Sequence, residues 1–331
     1  MNLVTERAMI KLMPEIIVFV ISLTAVIYGA DWLGNAATQI AKSLSLPRIL
    51  VGATIVSIAT TLPEFTIAAL SAATGTPNLG IGTVLGSPVV NIGLIFGILL
   101  LFSKARVEKA YFLRTAQFLF TVLVLVSLVV LGGTISPIAA WFLIVAGLLY
   151  LVIEFIVSQK EQSFLERLET RFERLKHFFT DGKHYQQIFF LVVGTLLLLL
   201  GAHFLVDSAV VLAGIFGVPQ IVIGTLVVAL GTSLPEAFTA IVSIVKKRTQ
   251  VAVGNLFGAS ILDLTLGLGV GSVFGGVKID PAGSYLTVGA IGVLSLLTLF
   301  SIFGKISPRL LGGALVAIYL LFIVWFASVE I

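Results

Sequence analysis

Ala59-Thr-Thr-Leu-Pro-Glu64 and Gly231-Thr-Ser-Leu-Pro-Glu236 stand 172 residues apart in one chain. The same shift aligns Pro47-Arg-Ile-Leu-Val-Gly52 with Pro219-Gln-Ile-Val-Ile-Gly224. It continues without a gap: Gly82 meets Gly254, Gly86 meets Gly258, Asn91 meets Asp263 and Gly97 meets Gly269. Upstream, Gly29-Ala30 meets Gly201-Ala202. The chain is a duplication, and what its halves do depends on the medium they occupy.

Composition identifies that medium. Of 331 residues, 58% are hydrophobic and 11% charged, where a soluble domain carries about 25% charged residues. The apolar residues fall in uncharged runs long enough to cross a bilayer, which takes about 20 residues. Ten spans are expected, at roughly 15–42, 48–74, 79–102, 110–131, 136–158, 187–214, 219–245, 250–274, 284–303 and 308–329. The repeat shift covers five of them. An odd number of crossings turns the second half upside down. The expected fold is therefore an all-α polytopic membrane protein of ten transmembrane helices in two inverted five-helix repeats. The first half is 1–158, a linker helix 159–186, and the second half 187–331.

The net charge of +4 and the pI of about 9.3 do not point to nucleic acid, because the basic residues are scattered through short loops rather than clustered on one face. All but Arg7, Lys11 and Lys278 of the 20 lysines and arginines fall on one side of the ten spans. The positive-inside rule then places both termini outside and the loop between spans 5 and 6 in the cytoplasm. In that loop Phe164, Leu165, Leu168, Phe172, Leu175, Phe178 and Phe179 recur at helical spacing, as in a linker helix on the membrane surface. Met1 to Pro14 has mixed charge and no small-residue cleavage pattern, so no signal peptide is expected. The chain has no cysteine, which excludes disulfides and thiolate ligands.

Glu64 and Glu236 fall midway through spans 2 and 7. An ionisable group at that depth costs several kcal/mol unless paired or solvated, which marks it as functional. Pro63 and Pro235 each lack an N–H and crowd the carbonyl four residues back, at Ala59 and Gly231. Carbonyls freed in a membrane persist only where protein, water or an ion satisfies them. Thr60 and Glu64 share a helical face, as do Thr232 and Glu236, Ser57 and Thr61, and Ser87 and Asn91. Asp263 is the counterpart of Asn91. These are oxygen donors without histidine or cysteine, a set that selects hard cations such as calcium or sodium. Asp31, His203 and Asp207 fit water-accessible faces or interfacial anchors instead, and Glu154, near the cytoplasmic end of span 5, fits snorkelling or pairing with a loop cation.

These paired motifs resemble the two alpha-repeats of the cation/calcium exchanger superfamily, and are most similar to prokaryotic sodium/calcium exchangers. The resemblance covers nearly the whole chain, with the alpha-repeats at about 48–102 and 219–274. It implies a central calcium site of Glu64, Glu236 and the carbonyls of Thr60 and Thr232. It implies flanking sodium sites drawing on Ser57 and Ala229 through the backbone, and on Thr60, Thr61, Thr232, Ser233 and Ser87. Asn91 and Asp263 match the family's remaining central polar pair. Two positions depart from the pattern: Ala259 stands where serine would face Ser87, with Ser260 adjacent, and Gly82-Thr83 replaces the Gly-Asn kept at Gly254-Asn255. The implied activity is exchange of calcium for sodium, with calcium/proton antiport as the alternative. The expected protein is a monomeric transporter in a prokaryotic cell membrane, with no cofactor beyond its transported ions and no enzymatic activity. A passive channel and an intramembrane enzyme are the rival classes. Duplicated proline-broken helices disfavour the first, and the lack of a nucleophile–base pair disfavours the second.

Overall fold

The computed structural model describes residues 3–43, 57–102, 109–157, 185–245, 249–303 and 306–330. The Pro47–Gly52 motif and all but the last residues of the 159–186 linker lie outside them. The described helices are α1 (Leu3–Ser43), α2 (Ser57–Ala73), α3 (Pro77–Phe102), α4 (Lys109–Leu131), α5 (Pro137–Val157), α6 (Tyr185–Phe216) and α7 (Gln220–Val245). They continue with α8 (Thr249 to Ser272), α9 (Pro281–Phe303) and α10 (Pro308–Glu330). Nine helices among the described residues are long and apolar enough to cross a membrane. The exception is α2, of which 17 residues are described. At 1.5 Å per residue, the 41 residues of α1 reach about 60 Å. That is twice the hydrocarbon thickness of a bilayer, so α1 is tilted or projects beyond it. The helix also runs through Pro14, so it begins before the run at 15–42 that the sequence marks.

Two apolar cores divide the helices. The larger joins α2–α5 with α7–α10, and an aromatic trio at its centre (Phe96, Phe112 and Phe257, ring centroids 5.2–5.7 Å apart) ties α3, α4 and α8. The smaller is made by α1 and α6, which add only Ile67, Leu79 and Val228 of the other helices as fully buried members. α1 and α6 run antiparallel. Gly29 lies against Gly194 and Leu198, and Gly201 against Ser22 and Val26. At one end Gln187 Nε2 donates to Gln39 Oε1 at 2.9 Å. Lipid tails are as apolar as leucine side chains, so membrane helices associate through close backbone approach, which small residues permit.

The central helices α3 and α8 are the most buried spans. A Cβ on Gly86 would stand 2.6 Å from the Thr225 carbonyl oxygen of α7, and one on Gly224 would strike the Leu79 carbonyl of α3. Each central helix also widens into π-helical turns, at Val89–Phe96 in α3 and Asp263–Gly267 in α8, and α7 does so at Ile223–Val228. In α3 the wide turns follow Pro88, which has no N–H for the carbonyl one turn back. Such insertions recur at functional sites because they re-aim side chains. Outside the bundle, β1 (Thr134–Ile135) after α4 pairs antiparallel with β2 (Val277–Lys278) after α8. Those two loops therefore lie on the same face.

Candidate cation site

Four helices converge on one buried polar region. α2 contributes Ser57, Thr60, Thr61 and Glu64; α3 contributes Ser87 and Asn91; α7 contributes Ala229, Thr232, Ser233 and Glu236; α8 contributes Asp263. None of these residues is more than 7% exposed, and Glu236 and Asp263 are fully buried. The Glu64 and Glu236 carboxyls interact electrostatically, and Asp263 interacts with both. Thr232 stands beside the carboxyl of Glu64, and Thr60 beside that of Glu236, so each half's threonine attends the other half's acid.

The polar accounting is incomplete in a particular way. Glu64 Oε2, both oxygens of Glu236, both of Asp263 and Oδ1 of Asn91 are buried without a hydrogen-bond partner. Among the described residues, the ion pairs are Arg114–Glu154 and His203–Asp207, and neither touches this region. Buried carboxyls without a partner cost several kcal/mol each, so this arrangement suits a bound cation. Among the described residues, no three carboxylate or imidazole side chains converge closely enough to hold an ion by themselves. An ion here would complete its shell from hydroxyls, backbone carbonyls and the asparagine amide.

The hydroxyls suit that task. Thr61 Oγ1 donates to the Ser57 carbonyl at 2.7 Å, and Thr232 Oγ1 to the Val228 carbonyl at 3.1 Å. Their protons are spent on their own helices, which leaves oxygen lone pairs for a cation. Ser233 Oγ donates to Ser87 Oγ at 3.5 Å, and Ser87 Oγ to Glu64 Oε1 at 3.3 Å. The backbone oxygens are more committed. The Ser57 carbonyl accepts from Thr60 and Thr61, and the Ala229 carbonyl accepts the Ser233 N–H at 3.0 Å.

The two proline motifs differ. α7 breaks at Ser233 (φ −78°, ψ 1°), and a new helical stretch starts at Leu234, so Pro235 sits in a first turn where its missing N–H costs nothing. α2 passes through Pro63 as continuous helix. The Gly231 carbonyl receives the Ser233 N–H, so the freed oxygen expected there is partly satisfied.

Ser260 follows Ala259 on α8. Its hydroxyl donates to the Leu256 carbonyl at 2.8 Å, along its own helix. Asn255 is a site neighbour that the sequence motifs did not single out. Its Oδ1 accepts from Thr60 Oγ1 at 3.4 Å, its carbonyl from Ser57 Oγ at 3.5 Å, and its Nδ2 is buried without a partner. Its retention in Gly254-Asn255, where the first half has Thr83, was the available clue. Asp31 is exposed at a cavity of about 370 Å³ between α1 and α6, and His203 and Asp207 form a half-exposed pair at 3.7 Å. Glu154 is held by Arg114 on α4, at 2.8 and 3.1 Å.

The profile of the sodium/calcium exchanger protein family matches residues 15–156 and again 186–328. Inner membrane protein YrbG of Escherichia coli (strain K12) is 31% identical over 264 residues, 79% of this chain and 80% of that protein. Sodium/calcium exchanger MaX1 of Methanosarcina acetivorans is 25% identical over 339 residues, 93% of this chain and 97% of that protein. A solved structure of the sodium-calcium exchanger NCX_Mj, soaked with 10 mM Na+ and zero Ca2+, matches with a TM-score of 0.64 at 25% identity, covering 94% of this chain and 98% of that one. With a family profile matched in both halves, the chain belongs to the sodium/calcium exchanger protein family.

Proposed function

We propose that the protein is a secondary antiporter that moves calcium against sodium by alternating access, with the ions bound in mid-membrane between Glu64 and Glu236. The observation that carries this reading is that Glu64, Glu236 and Asp263 are buried at 0–1% exposure, with five of their six carboxyl oxygens lacking a hydrogen-bond partner and no side-chain cation paired with them among the described residues. Family membership and the likeness to a sodium-calcium exchanger structure support the same assignment. Calcium takes six to eight oxygens. We assign it the carboxyls of Glu64 and Glu236 with the carbonyls of Thr60 and Thr232, and assign sodium the flanking oxygens of Ser57, Thr60, Thr61, Ser87, Ala229, Thr232 and Ser233. Asn91 and Asp263 complete the centre. The ions share ligands, so one displaces the other. Where several sodium ions enter per calcium, the membrane potential contributes about 2.3 kcal/mol per net charge per 100 mV.

We assign ten spans in two inverted halves. α1 and α6 are antiparallel, which requires an even number of crossings between them. α3, α4 and α5 supply three, so the segment ending in α2 supplies the fourth. The family profile matching each half separately supports the duplication. The loop charge pattern supports an orientation with the termini outside and the 159–186 linker in the cytoplasm.

Purified protein in liposomes, with sodium and pH gradients imposed separately, tests the coupling. Calcium uptake should follow the sodium gradient, and Glu64→Gln and Glu236→Gln should abolish it with the fold retained. Normal transport by either variant would sink the site assignment. One observation favours a second reading, calcium/proton antiport: Glu236 has Ala259 where Glu64 has the donor Ser87, so one fewer hydroxyl faces it. Uptake that follows pH and ignores sodium would select it.

A further inference from the structure

Between α3 and the second half of α7 lies a groove of about 140 Å³, bordered by Ile95, Ile98 and Leu99 on one side and Leu234, Ala237 and Ile241 on the other. It opens sideways. Ile98, Leu234 and Ile241 are 40–52% exposed, on spans whose outer surface is apolar. Its inner end is Ser233, the first hydroxyl of the chain that runs through Ser87 to Glu64.

The repeat explains why the groove exists. In the 172-residue register Phe65 corresponds to Ala237, Gly267 to Ile95 and Gly271 to Leu99. In the first arrangement the large residue is on α2 and the glycines are on α8. Phe65 lies 3.5 Å from where a Cβ on Gly267 would stand, and Ala68 lies 3.3 Å from that of Gly271. α2 therefore closes on α8. In the second arrangement the sizes are exchanged. Branched side chains on α3 face a small Ala237, and the broken half of α7 stands away from α3.

We propose that this groove is a binding site for one acyl chain of a bilayer lipid, which lodges between α3 and α7 and reaches Ser233. Hydrocarbon is the medium that meets this face. A water molecule needs two to four polar partners, and an apolar cleft without them stays dry. The one lining hydroxyl, Ser233, already donates to Ser87. The inference is independent of which ion is exchanged, because it rests only on the helices crossing a membrane.

The cysteine-free chain makes the test direct. A bimane label is placed at Ile241→Cys on the groove rim, and separately at Val324→Cys on the exposed surface of α10. Both proteins are reconstituted in lipids brominated along the acyl chain. Quenching should be stronger at 241 than at 324. Ala237→Phe, which copies Phe65, should lower quenching at 241 to the level at 324 without changing 324. Ala237→Leu, a smaller intrusion, should give a partial loss if the phenylalanine variant does not fold. Equal quenching at the two sites, or quenching at 241 untouched by filling the groove, overturns the proposal. So does quenching at 241 by aqueous iodide, which would mean water fills it. Loss of quenching as protein density in the bilayer rises would assign the groove to a second copy of the chain instead.

Discussion

Replacing Ala259 by serine should strengthen sodium binding. Ala259 is fully buried on α8, and its repeat counterpart Ser87 donates to Glu64 at 3.3 Å. Glu236, the counterpart of Glu64, has no donor or ligand oxygen from this direction. A new hydroxyl oxygen in a sodium shell is comparable to one net polar contact, about 0.5–1.5 kcal/mol. At about 1.4 kcal/mol per tenfold, that lowers the sodium concentration for half-maximal exchange about two- to tenfold. Calcium uptake into liposomes, titrated with sodium on the opposite side, reads the change directly. Ser260→Ala is the internal control and should leave the titration unmoved, since residue 260 lies about 100° around the helix from the counterpart of Ser87. An unchanged sodium titration in Ala259→Ser, or a shift in Ser260→Ala as large as the one expected for Ala259→Ser, would refute the reasoning.

Arg114→Met should destabilise by about 3 kcal/mol by stranding Glu154, which is 3% exposed, whereas Glu154→Met leaves Arg114 at 30% exposure and should cost less. The double variant should recover most of the loss, which thermal unfolding of all four proteins in detergent will report. Gly224→Ala drives a methyl into the Leu79 carbonyl and should cost about 1–3 kcal/mol, while Gly289→Ala, with nothing within 4 Å, should be neutral or stabilising. Cysteines at Thr134 and Lys278, which face each other across β1 and β2, should crosslink with an impermeant oxidant added outside intact cells. Crosslinking only from the cytoplasmic side would invert the proposed orientation.

The spans and the acidic pair were readable because a bilayer leaves no other use for long apolar runs or for carboxyls inside them. Glu154 was readable in part: snorkelling or a loop cation was expected, and its partner is Arg114, within helix α4. The π-helical turns around Asn91 and Asp263 were not, since one extra residue per turn hardly disturbs hydrophobic periodicity. Nor could sequence separate Pro63 from Pro235. The motifs match, but only α7 breaks, at Ser233, and placing Pro235 after that break hides the defect. The hydrogen bond of Ser260 to the Leu256 carbonyl was invisible for a similar reason: adjacency in sequence is about 100° on a helix, so standing next to Ala259 does not put a hydroxyl where Ala259 points. Asn255 needed the three-dimensional crossing of α2 and α8 to emerge as a neighbour of Thr60.

The glycine contacts described above also set an order of assembly. Gly29 on α1 waits for Gly194 on α6, and Gly86 on α3 waits for Thr225 and Ala229 on α7. Every one of these partners belongs to the later-made half. While the first half is being synthesised, these crossings have nothing to close on, although Gly80 on α3 can already meet Ala68 on α2, and its polar centre has only some of its walls. Non-local closure of this kind delays productive packing and prolongs the exposure of unfinished surfaces. The early helices must wait in the bilayer as loosely associated spans, and Glu64 gains its neighbours Glu236 and Asp263 only when the second half arrives to interleave with the first.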